Sequence, residues 1–157
     1  MLLLRSLHLL FSHILITSRP SQWIKNLVIF IPVLFSMNES WTFQEYNSLT
    51  GILIRSIFAF TAFIFITIAI YCINDIFDIE NDKKHPIKKN RPIASGDLPI
   101  SKAIYFSIVC IFISLTISVF INLYLFSAIF VYMILMLSYS WFFKGIIFLD
   151  VILISGD

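Results

Sequence analysis

The chain has 157 residues, 59% of them hydrophobic and 13% charged, with 17 phenylalanines and a formal net charge of +2. Soluble domains hold roughly 45–50% apolar residues and distribute charge over their surface. A water-soluble globule is therefore excluded, no nucleic-acid partner is expected, and an all-α, polytopic transmembrane helix bundle forming a single membrane domain over 1–157 is the expected fold.

In chain order, Met1–Ile16 begins apolar around Arg5, but His8, Ser12 and His13 interrupt it and no small-x-small cleavage site precedes Arg19-Pro20. Residues 1–18 are expected to form an interfacial helix on the cytoplasmic face, with a signal anchor as the competing reading. Leu27–Met37 is apolar over only 11 residues, too few for a hydrocarbon core of about 30 Å unless it borrows Trp23 and the residues beyond Met37. Leu49–Ile73 is longer, 25 residues with Arg55 near its start, and crosses with tilt. Ala103–Phe143 runs 41 residues without a charge, about twice the core thickness as one helix, so it must turn. Asn122 is its only Asn and suits a tight turn because it tolerates a left-handed backbone. Gly145–Ile154 opens a further apolar run. Cys72 and Cys110 lie inside apolar runs without a CxxC partner or nearby His, which points to packing.

With the N-terminus cytoplasmic, ten of the 11 basic residues fall on the cytoplasmic side and Arg55 is the exception. The loops assigned outside, Asn38–Ser48 and the turn at Asn122, hold no Lys or Arg. The positive-inside bias therefore orients the protein.

The residues with chemistry in them lie at 74–100, expected to be a cytoplasmic active-site loop. On one helix at 100° per residue, Asn74, Asp75, Asp78 and Asp82 share an arc of roughly 100°, with Ile76 and Ile79 elsewhere. Three carboxylates this close repel one another unless a cation sits among them. Mg²⁺ is the natural candidate, since it takes a few hard oxygen ligands and completes its shell with water and phosphate. Lys88, Lys89 and Arg91 follow at once and could grip a diphosphate. Lys83 and Lys84 serve that role or anionic lipid headgroups equally well. His85, before Pro86, reads better as a turn-shaping residue than a catalytic one.

The run Asn74–Asp82 resembles the first aspartate-rich motif of the UbiA superfamily of intramembrane prenyltransferases. Arg19-Pro-Ser-Gln-Trp-Ile-Lys-Asn26, His85–Gly96, Tyr139-Ser140 and Leu149-Asp-Val151 are similar to the decaprenyl-phosphate phosphoribosyltransferase branch. That resemblance implies a UbiA-like bundle in the cell inner membrane and Mg²⁺ bound by Asp75, Asp78 and Asp82. It implies transfer of a phosphoribosyl group from phosphoribosyl pyrophosphate, the diphosphate-bearing donor, to a polyprenyl phosphate. Asn74, Gln22, Lys25, Lys88, Lys89 and Arg91 would bind substrate, although Trp23 and Lys25 also suit interface anchoring. The family continues into more helices and a second aspartate-rich motif, so the chain is expected to be an N-terminal portion of a UbiA-like bundle, incomplete without a C-terminal half. Two alternatives remain: a prenyl diphosphate donor with an aromatic acceptor, and a truncated, non-catalytic membrane remnant. A cation transporter is disfavoured, since no ionisable residue lies mid-span in the clear helices.

Overall fold

A computed structural model describes residues 2–36 and 46–143. Lys144, the run Gly145–Ile154 and most of the Asn38–Ser48 loop lie outside the described residues. Those described form an all-helical bundle without strands. Helix α1 (Leu2–Thr17) leads into a 3₁₀ helix (Pro20–Phe30) that continues as the short α2 (Ile31–Phe35). The long α3 (Tyr46–Phe77) is followed by α4 (Ile79–Lys84), a 3₁₀ turn (Lys88–Asn90), α5 (Pro92–Ser95), α6 (Ile100–Ile121), α7 (Leu123–Ser138) and a π turn (Tyr139–Phe143).

Three segments, Leu49–Phe77, Ile100–Ile121 and Leu123–Trp141, are long and apolar enough to cross a membrane, and the protein is an integral membrane protein. The expected division at Asn122 is present, but its cause differs. Asn122 is extended (φ −173°), not left-handed. Its Oδ1 accepts the Leu125 N–H at 2.7 Å, so it stops α6 by leaving helical backbone and starts α7 as an N-cap. The apolar run from Leu27, expected as a first span, begins within the shorter apolar helical segment Pro20–Phe35, which is not one of the three membrane-length segments. Pro20–Phe30 is wound as a 3₁₀ helix, whose rise of about 2.0 Å per residue lets it and α2 together extend about 30 Å with few residues.

Helices α3 and α6 form the spine, because both present small side chains to each other. Ala59, Ala62 and Ala69 on α3 and Ala103, Ser107, Cys110, Ser114 and Ser118 on α6 are buried, as membrane helices need for close approach. The Ser114 hydroxyl donates to the Ala62 carbonyl at 2.7 Å across this seam. Ile129 of α7 completes one core with Ala62, Ile66 and Ile70. At the end of α3 that carries Asp75, Cys72, Ile93, Leu98 and Ala103 are buried with Leu10 and Ile14 of α1 against them. Both cysteines are free and packed in cores, as their apolar context indicates. That second cluster clamps α1 and α5 to the bundle. Gly96 (φ 87°) ends α5 in the left-handed region, and the Leu98 N–H returns to the Pro92 carbonyl at 2.8 Å.

Residues 74–100 are accordingly a folded cap and not an open loop. Asn74 and Asp75 still belong to α3, which runs to Phe77, and three short helical segments follow.

Candidate active site

The last turn of α3 places Asp75 near a helix C-terminus, where exposed carbonyl dipoles oppose negative charge. A carboxylate buried there needs a cation, and the chain supplies two. Arg19 Nη2 lies 2.5 Å from Asp75 Oδ1, and Arg91 Nη1 lies 3.1 Å from that same oxygen. Arg91 Nη1 also contacts Asp82 Oδ2 at 2.7 Å. Asp75 and Asp82 are both 2% exposed, so the cluster is a buried, charge-assisted network of two carboxylates and two guanidiniums.

Three features of the sequence build it. Helix α3 ends at Phe77 and restarts at Ile79, so Asn74–Asp82 is not one continuous helix as the angular pattern assumes. The Asp78 N–H still reaches the Asn74 carbonyl at 3.0 Å and the Asp82 N–H the Asp78 carbonyl at 2.8 Å. The helical winding therefore persists across the break and keeps Asp82 on the side of Asp75. Arg91 adopts extended backbone (φ −64°, ψ 140°) immediately before Pro92, the conformation that proline imposes on its predecessor, and its side chain turns back onto both aspartates. Arg19 is the one non-glycine residue with positive φ (48°) among those described. This strained backbone, before Pro20, redirects the chain from α1 into the 3₁₀ helix and carries the guanidinium to Asp75. There it also stacks 4.7 Å from the centre of the Tyr71 ring.

A cavity of about 530 Å³ opens beside this cluster, between the 3₁₀ helix, α3 and α7. Arg19 and Lys25 supply its cations, and Gln22, Asn26 and Asn74 its amides. Thr67, Tyr71, Tyr132 and Tyr139 supply hydroxyls, leaving Ile70 and Met136 as its apolar lining. Ser140 donates a hydrogen bond to Asn74 Oδ1, fixing that amide at the rim. The Asn26 Nδ2 group is buried without a hydrogen-bond partner.

The expected site residues thus divide by place. Gln22, Lys25 and Asn74 line the cavity, and Asp75, Asp82 and Arg91 form the adjoining ion-pair cluster. Asp78 is half-buried between α3 and α4. Lys88 and Lys89 are exposed on their 3₁₀ turn and do not line the cavity. The His85 Nδ1 accepts the Ile87 and Lys88 N–H groups, each at 3.2 Å, which matches a turn-shaping role. Arg19, Asn26, Thr67, Tyr71, Tyr132 and Tyr139 were not anticipated as site residues. Thr67, Tyr71 and Asp75 repeat every four residues on one α3 face, a polar stripe within an apolar helix that marks a lined cavity.

Among the described residues no three carboxylate, imidazole or thiol groups gather closely enough to hold a metal ion unaided. The donor chemistry nevertheless suits Mg²⁺. Asp75 and Asp82 converge on one cationic nitrogen, a stand-in showing that a single positive charge can be shared between them, and all available ligands are hard oxygens.

The model of a family described as the UbiA prenyltransferase family matches residues 20–156. A decaprenyl-phosphate phosphoribosyltransferase from Corynebacterium glutamicum is 34% identical over 140 residues, covering 88% of this chain and 40% of the relative. One from Mycolicibacterium smegmatis is 31% identical over 138 residues, covering 88% and 42%. A digeranylgeranylglyceryl phosphate synthase from Sulfurisphaera tokodaii is 48% identical over 56 residues, covering 36% and 19%. The chain spans about two fifths of the length of the first two relatives.

Proposed function

The chain belongs to the UbiA prenyltransferase family, and on that premise we propose that it carries the donor site of an intramembrane transferase moving a phosphoribosyl group from phosphoribosyl pyrophosphate to a polyprenyl phosphate. The observation that carries the choice of donor is the cavity wall. Nine of its eleven lining residues bear hydrogen-bonding or charged groups, with only Ile70 and Met136 apolar. The buried Asn26 Nδ2, which has no hydrogen-bond partner, would gain one from a hydroxylated ribosyl donor and none from a prenyl chain.

In this reading Arg19, Lys25 and Arg91 stabilise the charge that develops on the diphosphate as the bond from its oxygen to the anomeric carbon breaks. Asn74, fixed by Ser140, orients the donor, and Gln22, Thr67 and the tyrosines meet ribose hydroxyls. The acceptor phosphate oxygen then forms the new bond to that carbon. It is already anionic at neutral pH, so no general base is required. Mg²⁺, held by Asp75, Asp78 and Asp82 directly or through water, would add charge neutralisation to the leaving group. Lys88 and Lys89, exposed near the cluster, would raise the local concentration of an anionic donor. The basic residues around this end support its placement on the cytoplasmic side of the inner membrane.

The digeranylgeranylglyceryl phosphate synthase likeness favours a second reading, a prenyl diphosphate donor, with the diphosphate handled by the same cluster. Equilibrium binding to the purified protein with Mg²⁺ separates the two. Phosphoribosyl pyrophosphate should bind at least about tenfold more tightly than inorganic pyrophosphate, a difference of about 1.4 kcal/mol. A clear preference for a prenyl diphosphate would overturn the phosphoribosyl reading and leave the diphosphate site standing.

A further inference from the structure

The Asp75 and Asp82 side chains are each 3% exposed, and the charge that closes on them is the protein's own. One nitrogen of Arg91 contacts both carboxylates, at 3.1 and 2.7 Å, while Arg19 holds the same Asp75 oxygen at 2.5 Å. The guanidinium of Arg91 therefore takes the place between the carboxylates that a bridging cation would need. A divalent cation arriving alone must break two ion pairs whose carboxylates are buried and leave Arg91 without a counter-ion, which is unfavourable. An anion arriving beside the cluster changes that balance. Arg91 and Arg19 keep 24% and 30% of their side chains exposed, Arg19 lines the cavity, and a diphosphate offers planar guanidiniums the bidentate oxygens they favour.

Building on the proposed donor site, we propose that Arg91, backed by Arg19, is an internal counter-ion that closes the Asp75–Asp82 pair to divalent cations until a diphosphate draws the guanidinium away. Cation and diphosphate then bind as a coupled pair. The coupling is reciprocal: whatever factor the diphosphate adds to cation affinity, the cation adds to diphosphate affinity. Arg91 thus acts twice, first as a plug on the carboxylates and then as a ligand of the phosphate. Arg19 contributes less to the plug because it reaches only Asp75.

The test is Mn²⁺ binding to the purified protein, followed by electron paramagnetic resonance, with and without inorganic pyrophosphate and after correction for the complex that the two form in solution. Pyrophosphate should raise Mn²⁺ affinity of the unaltered protein by about tenfold or more, within the usual span of coupling between sites. Arg91→Met should bind Mn²⁺ more tightly than the unaltered protein when pyrophosphate is absent and should lose most of the coupling, with Arg19→Met showing a smaller change in the same direction. A second readout needs no variant: the ¹⁵Nε resonance of Arg91 should move with Mg²⁺ and pyrophosphate together but not with Mg²⁺ alone. Tight Mn²⁺ binding without pyrophosphate, combined with an Arg91 resonance that never moves, would overturn the counter-ion and leave the donor site intact. Failure of Mn²⁺ and pyrophosphate to bind together under any condition would overturn both.

Discussion

Replacing Arg91 by alanine should destabilise the fold more than any surface charge change, because of what it strands. Asp82 is 2% exposed and loses the guanidinium 2.7 Å away, whereas Asp75 retains Arg19. Breaking a buried pair from one side costs roughly 3–5 kcal/mol. Arg91 is 24% exposed, so water can enter the vacated space and partly hydrate Asp82, which argues for about 3 kcal/mol. The Glu80–Lys83 pair is an internal control. Its N–O distance is a comparable 3.1 Å, but its side chains are 78% and 52% exposed, and Lys83→Ala should cost no more than about 0.5 kcal/mol. Removing the stranded charge as well, in Arg91→Ala/Asp82→Asn, should recover about half of the loss. The assay is reversible unfolding in mixed micelles by titration with a denaturing detergent, run as a double-mutant cycle. An Arg91→Ala variant within about 0.5 kcal/mol of the unaltered protein, with no recovery on adding Asp82→Asn, would refute the view that this ion-pair cluster holds the cap on the bundle.

Three further outcomes follow from local geometry. Asn122→Ala removes the side-chain acceptor for the Leu125 N–H and should cost about 1 kcal/mol, with faster amide exchange confined to the first turn of α7. His85→Ala removes the shared acceptor of the Ile87 and Lys88 N–H groups; exchange at those two amides should accelerate by an order of magnitude, and His85→Asn should restore part of the protection. A single cysteine introduced at position 85, in a Cys72→Ser/Cys110→Ser background, should react with a membrane-impermeant thiol reagent in inside-out vesicles and not in intact cells. The reverse pattern would invert the orientation.

Much of this architecture is legible in the sequence, because apolar length alone separates the spans and a lone Asn in 41 uncharged residues must mark their division. Why Asn122 divides them is not legible. A left-handed turn and an N-cap both suit Asn, and only the extended backbone distinguishes the two. The stripe of Asn74, Asp75 and Asp82 is likewise visible from helical spacing, since the winding survives the break at Asp78. What closes the site comes from distant positions. Arg19 is 56 residues from Asp75, and although it opens the Arg19–Asn26 motif, nothing in the sequence pairs it with that aspartate. Its partnership depends on a positive φ next to Pro20. Lys88 and Lys89 show the opposite limit: adjacency to the aspartates suggests a phosphate grip, but the short turn at 88–90 points them to solvent while Arg91, fixed by Pro92, turns inward. The tyrosines of the cavity are hidden for a simpler reason, as aromatic residues are abundant throughout this chain and only packing tells a lining hydroxyl from a lipid-facing ring.

The central claim, that the Asp75–Asp82 cluster and the adjoining cavity form a metal-dependent site for a diphosphate-bearing sugar, is tested most directly by the binding of radiolabelled phosphoribosyl pyrophosphate to purified protein. Measurements would be made with Mg²⁺, with chelator, and in the Asp82→Asn variant. The account predicts binding that falls at least about tenfold on chelation, and by a similar factor in Asp82→Asn even with Mg²⁺ present. Binding that is indifferent to both Mg²⁺ and Asp82 would contradict it.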